Sequence, residues 1–387
     1  MSENFLKPIE DIAAGVMDGV AGLLNYGGGT NLRAAPNDGR VTLPGDLFAK
    51  PDVQTEWWYY TGHCEWESGK RFGFELVFFK RRTDLDRIGI VPMTALANPM
   101  YFAHFAISNI DEQRFEYEHT RSFGMPFDVP VSMSTTACDV RLGDWTLREV
   151  AGKHLLHATF KNGFVFDAVL EAQKPLVLNG EGGISVKKGG GSNHFSFTRM
   201  SVAGQTVTDG AAEQFTGSAW MDREFGIWDQ GNWDWFSVQF DDNTELMVYQ
   251  FRGESGEMTG NSTGTFVQRD GTCRYLKRSD FEIESTSTWT SAQTGAVYPS
   301  RWRVTVPSLD IDIEIEPLIA DQELDTRGST MIVYWEGACS VLGTRANEPI
   351  SGKAYIELVG YDRSHETAGL GDFLFGGRIR QLREMFA

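Results

Sequence analysis

Residues 216–236 read TGSAWMDREFGIWDQGNWDWF and set four of the chain's eleven tryptophans (Trp220, Trp228, Trp233, Trp235) among Asp222, Arg223, Glu224, Asp229 and Asp234. Rings and charges mixed this densely cannot all face water or all face a core. Some charges must lie against apolar surface, where burial and pairing shift their pKa. In an extended strand Asp222 and Glu224 share one face and Arg223 takes the other. A carboxylic acid in an aromatic-walled pocket can stay protonated at neutral pH and deliver a proton to an alkene. Ring faces then stabilise the resulting cation. Asp222 and Glu224 are the candidate donors, with Arg223 holding a polar group of the substrate. The plainer alternative is that either acid simply pairs with Arg223 at a domain interface.

Glu56 poses the same choice, since it precedes Trp57-Trp58-Tyr59-Tyr60. It is either an acid beside a strand of rings or a buried ion pair. His104 sits in the middle of an apolar strand, YFAHFAI, and is the midstrand residue that titrates nearest neutrality. A core histidine satisfied by a backbone partner is the commoner case. The expected binding wall is Glu56, Trp57, Trp58, Tyr60, Trp220, Phe225, Trp228, Trp233, Trp235 and Tyr249. No HExxH or Cys/His zinc spacing occurs, so neither a metal nor a cofactor is expected. The glycine-rich stretch 180–191 lacks a GK[ST] ending and reads as a loop rather than a phosphate cradle.

Both halves of the aromatic stretch have an echo. Thr216-Gly217-Ser218-Ala219-Trp220-Met221-Asp222 returns as Ser351-Gly352-Lys353-Ala354-Tyr355-Ile356-Glu357. The hairpin pattern from Trp235 to Phe251 resembles that from Trp58 to Phe78. Two echoes in the same order indicate a duplicated unit. With 387 residues the chain is long for one core and comfortable for two. Alternating runs such as Phe72-Phe74-Leu76-Phe78 and 302–315, with turns at Asp242-Asn243, Asn162-Gly163 and Asp270-Gly271 between them, predict an all-β protein of sandwiches or barrels.

The net charge of −18 argues against a nucleic-acid partner and against docking on anionic lipid. Cys64, Cys138, Cys273 and Cys339 are scattered, which favours buried free thiols, with two disulfides open if the protein is exported. The acidic N-terminus does not resemble an export signal, so a cytoplasmic location is expected. Residues 5–25 carry Ile9, Ile12, Val16, Val20 and Leu23 at helical spacing, and 373–386 repeat the pattern with Ile379, Leu382 and Phe386. Two short amphipathic terminal helices are expected. They would dock on the body, join copies in a homo-oligomer, or touch a membrane without inserting.

The runs Thr55-Glu56-Trp57-Trp58-Tyr59-Tyr60-Thr61-Gly62-His63, Ser218-Ala219-Trp220-Met221-Asp222-Arg223-Glu224 and Gly352-Lys353-Ala354-Tyr355-Ile356-Glu357 resemble the AttH and carotenoid hydratase family. The resemblance spans about residues 50–362. It implies two tandem lipocalin-like β-barrel domains, with a hydrophobic pocket often placed between them. The expected division is an N-terminal helix and linker (1–49), a first barrel (50–230), a second barrel (231–372) and a C-terminal helix (373–387). The activities it implies are hydration of isoprenoid double bonds and, in fungal relatives, pericyclic ring formation. Members usually carry His and Trp where this chain has Arg223 and Phe225. Arg cannot act as a general acid and Phe cannot donate a hydrogen bond, so the family's mechanism transfers only through Asp222. Arg223 better suits a carboxylate, enolate or carbonyl on the substrate. The function expected is a cofactor-free enzyme that hydrates, isomerises or cyclises an isoprenoid or polyketide-like substrate. The alternative is a non-catalytic carrier of a lipophilic molecule. Three consecutive charges in the aromatic stretch exceed what a carrier's anchor needs.

Overall fold

The computed structural model describes residues 39–82, 87–88, 91–92, 99–229, 231–253 and 256–362. The terminal helices expected at 5–25 and 373–386 lie outside these residues. The described chain is all-β and forms two large antiparallel, barrel-like sheets.

The first sheet runs in the order Arg114–Ser122, Met100–Asn109, Arg71–Arg81, Thr55–Trp66, Ala211–Ile227, Gly190–Thr208, Val165–Ala172, Lys153–Thr159 and Trp145–Val150, then two further strands. The second runs Cys273–Lys277, Thr263–Val267, Glu245–Arg252, Asn232–Phe240, Glu348–Val359, Val333–Arg345, Ile311–Pro317, Val297–Val306 and Glu282–Thr290. Position by position the nine strands correspond, which makes the two sheets topological copies. Within this match Asp222 pairs with Tyr59, and Glu357 pairs with Trp235. The two acids of the echoed motif therefore stand at equivalent places. Asn243, Gly163 and Gly271 take positive φ at the turns the sequence marks.

Burial patterns show where the sheets meet. Ile311–Pro317 alternates in the ordinary way, with Ile311, Ile313 and Ile315 inside and Asp312, Glu314 and Glu316 toward water. The strands Thr55–Trp66, Arg71–Arg81 and Asn232–Phe240 are instead buried on both faces. One face of each lines its own barrel: Trp58, Phe74, Phe78 and Phe105 fill the first, Phe236, Val238, Trp302 and Ile313 the second. The other face is shared. There Tyr59, Val77 and Trp220 of the first sheet pack on Trp235, Met247, Tyr249, Ala338 and Tyr355 of the second. The approach is close enough to require glycine at one point. A Cβ on Gly73 would lie 2.8 Å from Ala338 Cβ and 3.3 Å from the Tyr355 ring.

A buried ion cluster fixes the same junction. The register between Gly190–Thr208 and Ala211–Ile227 slips between Phe197 and Met200. This irregularity carries Arg199 across to Glu245 of the second sheet, with Nε to Oε1 at 2.6 Å. Lys174 Nζ reaches the other oxygen at 2.8 Å. All four cysteines are free. Three are buried as expected, whereas Cys273 is exposed. Among the described residues no helix is long and apolar enough to cross a membrane.

Candidate functional site

The alternation predicted for residues 222–224 decides which groups meet. Asp222 and Glu224 project onto the shared face, and Arg223 projects into the first barrel. Arg223 is fully buried there, its guanidinium 4.0 Å from the Trp58 ring and 4.9 Å from Phe225. It donates to Glu56 Oε2 at 2.5 Å, to Phe48 O at 2.9 Å and to Trp57 O at 3.2 Å. Lys80 completes the cluster, its Nζ 2.5 Å from Glu56 Oε1. The expected role of Arg223 as substrate anchor is not supported, because both terminal nitrogens donate to Glu56 and to backbone carbonyls inside the barrel, and its buried Nε, without a partner among the described residues, lies off the shared face. Glu56, Trp58, Tyr60 and Phe225 belong to the same interior and are not on the shared face; Tyr60 Oη meets His154 Nδ1 at 2.7 Å. Trp57, Trp220, Trp233, Trp235 and Tyr249 do lie on the shared face. Trp228 joins it edge-on to Trp57, with ring centroids 5.1 Å apart.

One group of charges on this face is ionic. Glu224 pairs with Lys187 and accepts from the Ser192 hydroxyl. Burial alone would raise its pKa, but Lys187, His194 and these hydrogen bonds outweigh burial and hold it below the usual carboxylate range. Glu224 is thus ionised at neutral pH, which corrects its expected role as a protonated donor. Asp222 accepts from Trp220 Nε1 at 2.6 Å and from the Ser196 hydroxyl. His194 Nε2 lies 3.2 Å from Asp222 Oδ2. Burial disfavours charge on His194, yet Glu224 and Asp222 raise its pKa. The Lys187 ammonium sits in a cage of rings, 4.2 Å from Trp228, 5.0 Å from Trp57 and 5.9 Å from Phe251.

The second group consists of carboxyls without a cation of their own. Glu336 and Glu357 stand directly opposite across paired strands of the second sheet, and Glu75 reaches in from the first. Two of these carboxyls accept from tyrosines of the opposite sheet: Tyr59 Oη donates to Glu336 Oε1 at 2.7 Å, and Tyr334 Oη to Glu75 Oε1 at 3.3 Å. Burial, then repulsion from Glu357, pushes Glu75 up to about 8. Burial and the same neighbours raise Glu336 well above the carboxylate range. Glu357, which accepts from Trp233 Nε1 at 2.8 Å, is pushed by burial up to about 7. The second oxygens of Glu75 and Glu336 and the Trp235 indole N–H have no hydrogen-bond partner among the described residues.

His104 also reaches this face, with Nδ1 2.7 Å from Tyr334 Oη. Burial and the adjacent His119 lower its pKa well below the ordinary value, so it stays neutral instead of titrating near pH 7. A cavity of about 10 Å³ lies on the shared face between Thr61, Trp220, Ser237 and Tyr355. A cleft of about 650 Å³ lies apart from these acids, lined by Arg252, Thr294, Val297 and Tyr361.

Sequence reasoning missed Glu75, Glu336, Glu357 and Lys187. Glu357 carried a signal, because it echoes Asp222. Lys187 was hidden in the glycine-rich stretch, which forms the short strand Ile184–Lys187.

The raised acids make a pH prediction. A carboxyl whose folded value stands above its unfolded 4.5 stabilises the fold fully below that value. The contribution is lost as pH rises through the folded value, here about 8 for Glu75. The groups facing Glu75 are Glu336, Glu357, Tyr59, Tyr334 and His104. Glu75→Gln is therefore expected to flatten the fall in stability between pH 4.5 and 8, read by urea denaturation at several pH values. An unchanged slope would show that Glu75 is ionised in the native protein.

Residues 34–361 match the family model described as AttH-like. A crystal structure of an AttH protein from Nitrosomonas europaea is 30% identical, covers 85% of this chain and 100% of its own, and superposes with a TM-score of 0.74. Kievitone hydratase from Nectria haematococca is 17% identical, with 85% and 96% of the two chains covered and a TM-score of 0.64, a likeness of fold. No curated protein matches in sequence.

Proposed function

The chain belongs to the AttH-like family, and we propose that it is a cofactor-independent enzyme acting on a double bond of a hydrophobic substrate. The substrate is isoprenoid or polyketide-like, and the reaction is hydration, isomerisation or cyclisation. The observation that carries this reading is the pairing of two clusters on one face, with acidities driven in opposite directions. Glu357 and Glu75 are raised, while Glu224 is lowered. Environments that push the pKa values of neighbouring groups apart mark an acid and a base.

Glu357 gives its proton to one alkene carbon, the π electrons form the new C–H bond, and the neighbouring carbon becomes a cation. The rings of Trp233, Trp235 and Trp57 stabilise that charge. In a hydration, water adds to the cation and its spare proton passes to Glu224. Loss of an adjacent proton to Glu224 gives the isomer instead; attack by a second double bond closes a ring and moves the cation to the far alkene carbon, which then loses a proton to Glu224. The half-buried rings Trp57, Phe79, Trp233 and Phe251 form the edge that must part to admit the substrate. Likeness in fold to a hydratase supports the reading. The filled barrel cores and the small cavity weigh against a preformed carrier site.

The test begins with mass spectrometry of an organic extract of the native protein. The compounds found, and a panel of isoprenoid and polyketide alkenes, are then incubated in ¹⁸O-water and in D₂O. All three reactions place deuterium on carbon, and hydration alone also places ¹⁸O in the product. Binding without conversion of any compound would leave the carrier reading in place and overturn this one.

A further inference from the structure

Glu75 has no exposed surface, and bulk water cannot reach its carboxyl. An acid that gives up its proton there needs a path for its replacement. We propose that Tyr334, His104 and Ser329 form a proton relay that connects the buried carboxyl of Glu75 to the protein surface. The inference rests on the acid role assigned above to the cluster containing Glu75.

The atoms lie in sequence. Glu75 Oε1 is 3.3 Å from Tyr334 Oη, which is 2.7 Å from His104 Nδ1; across the ring, Nε2 is 3.3 Å from Ser329 Oγ. One assignment of protons satisfies every link. In the relay state Ser329 O–H turns from Thr326 O, 3.2 Å away, to donate to Nε2, while Nδ1–H donates to the tyrosine oxygen and the tyrosine O–H donates to Glu75. Each donor then points toward the carboxylate. When Glu75 is a carboxylate it takes the tyrosine proton, the tyrosine takes the proton on Nδ1, and Nε2 takes the proton of Ser329. The serine is refilled from outside, and rotation of the two hydroxyls with return of the histidine tautomer resets the chain. One proton enters and one reaches Glu75, with no other co-reactant.

The neutral state of His104 suits this role, because an imidazole with one N–H both accepts and donates. Ser329 is itself buried, but its sequence neighbours 327, 328 and 330 are half-buried, so this end of the path is the one nearest solvent. The chain also crosses the junction. Glu75 and His104 belong to the first sheet, Tyr334 to the second, and Ser329 to the loop before it.

The test needs no substrate, so it can fail independently of the enzymatic reading. Infrared spectroscopy of the full chain resolves the C=O stretch of a protonated carboxyl, and Glu75→Gln identifies the band of Glu75. On rapid dilution into D₂O, the rate at which this band shifts is the rate of proton exchange with solvent. Tyr334→Phe keeps the ring and removes the hydroxyl; His104→Gln removes the two-ended relay. Each is expected to slow exchange by roughly 100-fold, the lower range of a lost proton-transfer group. A variant that merely loosened the fold would exchange faster. Exchange as fast as wild type, or faster, in both variants overturns the relay. So does a spectrum from which Glu75→Gln removes no band.

Discussion

Glu357→Gln is expected to reduce turnover by roughly 10²–10⁴-fold, the range for loss of a positioned general acid, while the protein stays folded. The amide fills the same volume and still offers an oxygen to Trp233 Nε1, so the geometry of the rim survives. What it cannot do is release a proton. The substitution also removes a charge that forms near pH 7 beside Glu336, Asp222 and Glu224, so the variant should lose less stability than wild type as pH rises from 4.5 through 7. Turnover on the compound identified by extraction, read together with a thermal melt, separates the two effects. Activity within threefold of wild type, in a folded variant, would remove Glu357 as the donor.

The largest loss of stability is expected from Glu245→Ala. Glu245 is fully buried at the junction of the sheets and meets Lys174 at 2.8 Å and Arg199 at 2.6 Å. Lys174 has 4% of its side chain exposed, so truncating Glu245 strands a cation where water cannot solvate it. Breaking a buried pair from one side costs about 3–5 kcal/mol. The cost falls on the contact between the barrels more than on either core, because Arg199 comes from a strand of the first sheet, Lys174 from the bend after Val165–Ala172 of that sheet, and Glu245 from the second sheet. Denaturant unfolding should therefore change from one transition toward two. A single transition with a loss below about 1 kcal/mol, the scale of an exposed pair, would show that the cluster does not hold the barrels together.

The fold and about half of the site are legible in the sequence. Alternation of apolar residues gives the strands, and the echo of residues 216–222 in 351–357 gives the tandem arrangement of two sheets. Parity places Asp222 and Glu224 on one side and Arg223 on the other. It cannot say which side is the site, because that depends on what covers each face. Glu75 shows the limit most clearly. It alternates with Phe74 and Leu76 as a solvent-facing residue would, yet its face is closed by a barrel whose sequence begins more than a hundred residues later. Arg223, Glu56 and Phe225 looked like binding residues for the converse reason. Charges and rings on the inward face of a barrel have the same composition as charges and rings around a ligand.

The correspondence between the sheets bears on stereochemistry. Two identical barrels meeting face to face would form a surface with a two-fold axis, on which a flat alkene binds equally well either way up. Here the matched positions differ. His194 answers to Tyr334, Ser196 to Glu336 and Asp222 to Glu357, so the ionic cluster lies on the first barrel and most of the neutral acids on the second. On the function proposed above, a molecule held between them meets a proton on one side and a base on the other. Addition across its double bond then proceeds from opposite faces and in one sense only, and chiral chromatography of the product should find a single enantiomer.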